Sequence, residues 1–137
     1  MTRRWLVLLF TGLLVGRAGL QADDWPRVRG PHGSGVSDDE AVPITWGDEK
    51  NLQWKADLPG PGLSSPIVVG DKVFVTCYTG YATDREDPGE EENLKRHLIC
   101  VDRDSGDILW DSAVAATLPE DPYQGFIQEH GYASHTP

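Results

Sequence analysis

The stretch Cys100-Val-Asp-Arg-Asp-Ser-Gly-Asp-Ile-Leu-Trp110 holds two strand-forming runs and the turn between them. Residues 98–102 and 108–113 have the composition of short strands. Between them, Arg103-Asp-Ser-Gly-Asp107 supplies the small polar residues and the glycine that a hairpin turn with a positive φ requires. The stretch therefore predicts a β-hairpin, and the rest of the chain is placed around it.

Three further runs predict more strands of the same sheet. Residues 51–58 alternate apolar and polar side chains, which is the period of a half-buried strand. Two later runs are joined by Gly70-Asp71 at the spacing of a two-residue hairpin, and glycine at the first turn position suits a type II′ turn. We expect a four-stranded antiparallel meander of residues 51–58, 65–69, 72–78 and 97–102, with residues 107–114 continuing to the next unit.

The fold class follows from the central strands, which are apolar on both faces. Ile67 to Val69 and Val73 to Val75 leave no polar face for solvent. Such a sheet needs cover on both sides, as radially packed propeller blades provide, and half of a β-sandwich is the alternative. No stretch has sustained helical periodicity, so we predict an all-β protein.

The opening stretch also carries a family resemblance. Cys100 as the small residue, Asp102, Ser105-Gly106 and Trp110 match the Ala-x-Asp-x-x-Thr-Gly-x-x-x-Trp repeat of the pyrroloquinoline quinone (PQQ) dehydrogenase-like β-propellers. The segment from Trp25 to Pro31 is similar to the one that precedes the first blade in secreted bacterial members. The resemblance implies one antiparallel propeller blade at residues 51–114, the N-terminal part of a truncated or partial propeller. It implies structural, blade-docking roles for five residues, with Trp110 docking on the adjoining blade: Trp54, Asp102, Ser105, Gly106 and Trp110.

The remaining segments divide the chain further. Residues 1–22 resemble a signal peptide, with two arginines before an apolar run, and residues 23–50 form an arm broken by prolines and glycines. Residues 79–96 are a charged insertion that we expect to be a solvated loop. Residues 115–137 are expected to be a linker and the start of a second blade, because their last residues echo Gly62-Leu-Ser-Ser-Pro66.

Charge and the leader limit the partners. The chain has twenty-two acidic residues against twelve basic ones, three of which lie within residues 1–22. So acidic a chain is not expected to bind nucleic acid, which requires clustered lysine and arginine. The apolar run of the leader is shorter than the roughly 20 residues that span a bilayer, so no stable membrane span is expected after its cleavage. We expect an exported protein, periplasmic or extracellular.

The two cysteines, Cys77 and Cys100, fall on consecutive predicted strands in a chain expected to reach an oxidising compartment. If the loop between them closes symmetrically near residue 88, they lie opposite each other. A cross-strand disulfide is then one interpretation. Two buried free thiols acting as small apolar residues are the other.

No recognised catalytic motif occurs in the sequence, which contains no nucleophile elbow, zincin motif or Cys-x-x-Cys pair. His130 and His135 are close in sequence, but their spacing is weak evidence for a metal site. The vicinal cysteine pair of the quinoprotein dehydrogenases and matched cofactor positions are missing, so neither PQQ nor calcium is predicted. We therefore expect a non-catalytic scaffold whose partners are other propeller blades or proteins of the cell envelope. The alternatives are a segment of a periplasmic PQQ-dependent oxidoreductase and a carbohydrate-related exported propeller.

Overall fold

A four-stranded antiparallel sheet forms the centre of the protein in the computed structural model, which describes residues 23–39 and 42–137. The sheet is an open meander in which each strand pairs with the next along the chain. Its strands are β1 (Ile67–Val69), β2 (Lys72–Thr79), β3 (Lys95–Asp102) and β4 (Ile108–Ala115). The described residues add a 3₁₀ turn at Glu91–Asn93 and a five-residue helix, α1 (Phe126–His130). The all-β prediction is confirmed, while the predicted leader at residues 1–22 lies outside the described residues.

The two hairpin turns form where the sequence predicts them. Gly70 and Asp71 join β1 to β2, and Gly70 has a φ of 58°, as the first position of a type II′ turn requires. Gly106, in the turn between β3 and β4, has a φ of 80°. Both turns therefore use glycine for a backbone conformation that other residues adopt only at a cost.

The strand prediction for residues 51–58 is wrong. This segment has no partner strand among the described residues, and the fourth strand of the sheet is instead β4, which was expected to continue to another unit. Within this segment only Trp54 and Ala56 are half-buried, and the Trp54 ring packs on the cluster of Cys77, Ile99 and Val101 in the sheet. One-sided burial gives the same period of two whether a segment pairs in a sheet or lies across its face.

The strand register defines two faces of the sheet. Val73, Val75 and Cys77 of β2 lie on the first face with Ile99 and Val101 of β3, and this face is the one that Trp54 covers. The second face carries the alternate residues of the same strands, because successive side chains of a strand point to opposite sides. Its members on the three long strands include Phe74, Tyr78, Cys100 and Trp110.

Of the two interpretations of the cysteines, the structure shows the second: Cys77 and Cys100 are buried free thiols, and no disulfide joins them. β2 and β3 pair Cys77 with His97 and Cys100 with Phe74, so the two thiols are three residues out of register. Three residues are about 10 Å along a strand and an odd number of positions, which places the thiols on opposite faces. Disulfides need Cα atoms roughly 4.4–6.8 Å apart, so this register excludes the bond.

A second apolar cluster forms at one end of the second face. It draws on the charged insertion and the C-terminal tail as well as on β2, and its buried members are Tyr78, Ala82, Leu94, Tyr132 and Ala133. The insertion is therefore solvated only in part: residues 83–87 are exposed, whereas Ala82 and Leu94 are core residues. The tail likewise packs on the sheet of its own chain.

The N-terminal arm is anchored at its start. The backbone amide of Trp25 donates to the carbonyl of Val68 and that of Val68 donates back, both at 2.9 Å, which extends the sheet by one bridge beyond β1. The Trp25 ring packs on Gly30 and is half-buried. None of the helices in the described residues has the length and apolarity needed to cross a bilayer.

Candidate functional site

The turn between β3 and β4 is held by the side chain of Asp102. Its Oδ1 atom accepts hydrogen bonds from the backbone amides of Asp104 and Ser105, both at 2.9 Å, and its carbonyl accepts one from Gly106. These backbone donors, that of Ser105 first, hold the pKa of Asp102 below its usual range. Ser105 completes the turn by donating to the Asp107 carboxylate at 2.8 Å. The motif residues Asp102, Ser105 and Gly106 therefore act together as a turn.

Trp54 docks on this turn. Its indole N–H donates to the carbonyl of Arg103 at 2.8 Å, and the neighbouring Gln53 side chain donates to Asp104 at the same distance. A Cβ atom placed on Gly106 would lie 2.6 Å from the Trp54 ring, so the docked indole requires glycine there. The turn therefore binds a tryptophan side chain from a segment almost 50 residues earlier in the same chain.

Of the five residues with predicted structural roles, Trp110 is the one that does not join this site. It pairs with Cys100 and lies on the second face, where its ring packs on Phe74 with centroids 5.9 Å apart. Its side chain remains 42% exposed, and Val114 on the same face is 64% exposed. The structure therefore brings together four of the five predicted structural residues and leaves Trp110 on an open apolar surface.

The segments around the two tryptophans share a pattern of apolar residues, in which tryptophan is the one identity. Leu52, Trp54 and Leu58 recur at the same spacing as Ile108, Trp110 and Val114. Each copy is followed by a Gly-x-x-Ser segment that ends in proline, Gly62 to Pro66 in the first copy and Gly131 to Pro137 in the second. This shared spacing is a sequence signal that relates residues 51–58 to β4 rather than to a first strand.

The two glycine-led segments lie side by side in the structure. The amide of Leu63 donates to the carbonyl of Ala133 at 3.0 Å, and the Thr76 hydroxyl donates to the carbonyl of His135 at 3.1 Å. The first segment runs along the edge of β2, where the Tyr78 amide donates to the carbonyl of Pro61. The repeated segments therefore meet beside the same strand.

A buried histidine links three strands on the first face. His97 is 8% exposed, and its ring nitrogens lie 2.9 Å from the Thr79 hydroxyl and 2.9 Å from the Asp111 carboxylate. A hydroxyl, an imidazole and a carboxylate in this order can activate a nucleophile. Here the three groups lie on adjacent strands. None of them lines the cleft that Arg96, Glu120 and Tyr132 form beside the C-terminal tail. The row is a cross-strand contact that satisfies a buried histidine.

The cleft beside the tail contains a neutralised ion pair. Arg96 donates two hydrogen bonds of 2.7 Å to the Glu120 carboxylate and one to the carbonyl of Tyr132. These bonds lower the pKa of Glu120 and raise that of Arg96, while burial raises the pKa of Tyr132. Asp121 and His135 also line this cleft. Across the described residues, no three His, Cys, Asp or Glu side chains converge as a metal site, and His130 and His135 belong to no such group.

Comparison with known proteins identified no matching family model, no similar curated protein and no similar solved structure.

Proposed function

We propose that this chain is part of an exported β-propeller of the PQQ dehydrogenase-like type and acts as a non-catalytic interaction scaffold. The observation that carries the proposal is the contrast between Trp54, which docks on the turn of a sheet, and its repeat counterpart Trp110, which has no such turn to dock on. By the repeat, Trp110 requires the turn of another, similar sheet. Its partner is therefore a neighbouring blade.

The surface around Trp110 supports this packing. β4 is exposed along its whole length, and its apolar members include Leu109 and Val114 as well as Trp110. Exposed large apolar residues along one strand of so acidic a chain are typical of an interaction surface. Covering these side chains would stabilise the contact by roughly 25 cal/mol for each Å² of apolar surface removed from water.

The repeated segments support the same arrangement. In a propeller, the first strand of every blade faces the central axis, so the segments that lead into neighbouring blades run close together. The contact between Leu63 and Ala133 fits this arrangement. Residues 51–58 lie across the first face through Trp54, which is where a further sheet would pack. The oxidoreductase segment and the carbohydrate-related propeller stay alternatives from the sequence.

Sedimentation analysis of protein exported by a bacterial host tests the proposal. The unaltered protein should self-associate through its open second face, and Trp110→Ser should weaken that association at least tenfold. Trp46→Ser is the matched control, because Trp46 is 76% exposed in the arm and lies outside both faces. A monodisperse monomer with one sharp thermal transition, or equal behaviour of the two variants, would refute docking through Trp110.

A further inference from the structure

The outer edge of β4 is unpaired. β4 is the last strand of the sheet, and no described residue pairs with its outer side. The amide of Ala116 donates inward to the carbonyl of Leu94, so the alternation of an antiparallel ladder turns the N–H and C=O groups of Asp111, Ala113 and Ala115 outward. These residues present a row of free hydrogen-bonding groups.

This edge has little of the protection that natural edge strands carry. Such edges are usually interrupted by lysine, proline or inward-pointing charges. β4 has one charged residue, Asp111, whose carboxylate is bonded to His97 on the first face. A β-bulge at Leu109, opposite Cys100 and Val101, disturbs the pairing only at the start of β4. The remaining strand is apolar or small and suited to pairing with another strand.

We propose that the outer edge of β4 pairs antiparallel with the same edge of a second copy of this chain, about a two-fold axis through Ser112. A two-fold axis perpendicular to a sheet keeps each face on its own side, so residues that stand opposite each other belong to the same face. Such residues are an even number of positions apart along the strand, because successive side chains alternate between faces. The axis must therefore lie at a residue that faces its own copy. Axes at Asp111 or Ser112 pair seven of the eight residues of β4 with the same strand of the second copy, more than any other axis does.

Side-chain chemistry selects between these two registers. An axis at Asp111 sets two carboxylates directly opposite each other, which destabilises a sheet. An axis at Ser112 instead pairs each Asp111 with Ala113 of the second copy, and these are residues whose backbone groups point outward. It also pairs the exposed Trp110 with the exposed Val114 of the second copy, an aromatic and β-branched pair of the kind that stabilises sheets. The strand is therefore self-complementary in one register.

Disulfide crosslinking through one introduced cysteine tests the register. Ser112→Cys would face itself across the axis as a non-hydrogen-bonded pair, with Cα atoms about 4.5 Å apart, within the range of a disulfide. Mild oxidation should convert most of this variant to a covalent dimer on a non-reducing gel. Ala113→Cys should run as a monomer on the same gel, because the two copies of residue 113 are displaced along the strands and their thiols cannot meet. The unaltered protein is the blank, since its two cysteines are buried. Absence of the Ser112→Cys dimer, or equal crosslinking by Asp111→Cys, would overturn the proposal.

A second pair of variants tests the hydrogen bonds. Ala113→Pro removes only an outward N–H, which an edge strand tolerates, and should weaken dimerisation at least tenfold in sedimentation equilibrium. Ala113→Ser keeps the N–H and should leave the dimer unchanged, with matching circular dichroism showing that both variants are folded. Equal dimerisation of the two variants would contradict the inference. If Trp110→Ser loses association and Ser112→Cys does not crosslink, the copies pack through the second face alone. If Ser112→Cys crosslinks and Trp110→Ser associates normally, the edge contact stands and docking through Trp110 does not.

Discussion

Gly106→Ala should uncouple Trp54 from the turn between β3 and β4. The added methyl group would lie 2.6 Å from the indole ring, so the ring must move. The backbone conformation is also unfavourable for alanine, because Gly106 has a φ of 80°. Gly70→Ala separates the two effects, since Gly70 is also a hairpin glycine with a positive φ but has open space around its Cα.

The expected costs in free energy of unfolding can be compared. Alanine in the left-handed region costs roughly 1–2 kcal/mol, which is the whole effect expected for Gly70→Ala. Gly106→Ala adds the hydrogen bond from the Trp54 indole to Arg103, about 1 kcal/mol. It also loses the packing of a half-buried indole, about 1–2 kcal/mol. Gly106→Ala should therefore be about 2–3 kcal/mol more destabilising than Gly70→Ala.

Urea unfolding followed by far-ultraviolet circular dichroism measures the difference. A Trp54→Ala variant completes a double-mutant cycle, because removal of the ring also removes the steric conflict with residue 106. In that background, Gly106→Ala should cost no more than Gly70→Ala does. Equal costs of the two glycine variants in the unaltered background, or strict additivity in the cycle, would refute the docking role of Trp54.

Two further predictions concern titratable groups. The hydrogen bonds from Arg96 lower the pKa of Glu120 from 4.5, so the stability that they add is present at neutral pH and is lost as the pH falls below about 4.5. The urea midpoint should accordingly depend less on acid pH in Glu120→Gln, whereas Glu129→Gln, at an exposed ion pair, should retain the full dependence; identical pH profiles would contradict this. Cys77 and Cys100 are buried, which raises the pKa of both thiols, so exported protein should show two thiols under denaturing, non-reducing conditions and almost none when native. Fewer than two thiols after denaturation would contradict the register of β2 and β3.

The parts of the fold that the sequence predicts correctly depend on local chemistry. Gly70 and Gly106 mark turns because their backbone conformation is costly for other residues, and the strands beside such turns must pair. The same local logic predicts that Asp102 and Ser105 hydrogen-bond within the turn. These features need no information from distant residues.

The parts that the sequence does not predict depend on distant contacts. The alternation of residues 51–58 reports burial on one side, but it does not distinguish a paired strand from a segment that covers a sheet. The insertion between β2 and β3 has no tight turn to fix the register, so the sequence does not predict that Cys77 and Cys100 are three residues out of register. The burial of Tyr132 likewise depends on a tail that folds back over the sheet.

The position of Trp110 gives the physical basis for packing between sheets. Pairing with Cys100 fixes Trp110 on the second face, whereas the tryptophan that docks beside Gly106 belongs to the cluster on the first face. No rotation about side-chain bonds carries an indole through the sheet, so the tryptophan of β4 cannot reach the turn of its own hairpin. Trp54 reaches that turn only because it belongs to a segment outside the ladder. Under the proposed packing of blades, each tryptophan would instead dock on the turn of the next unit, as Trp54 docks on the turn beside Gly106 in this chain.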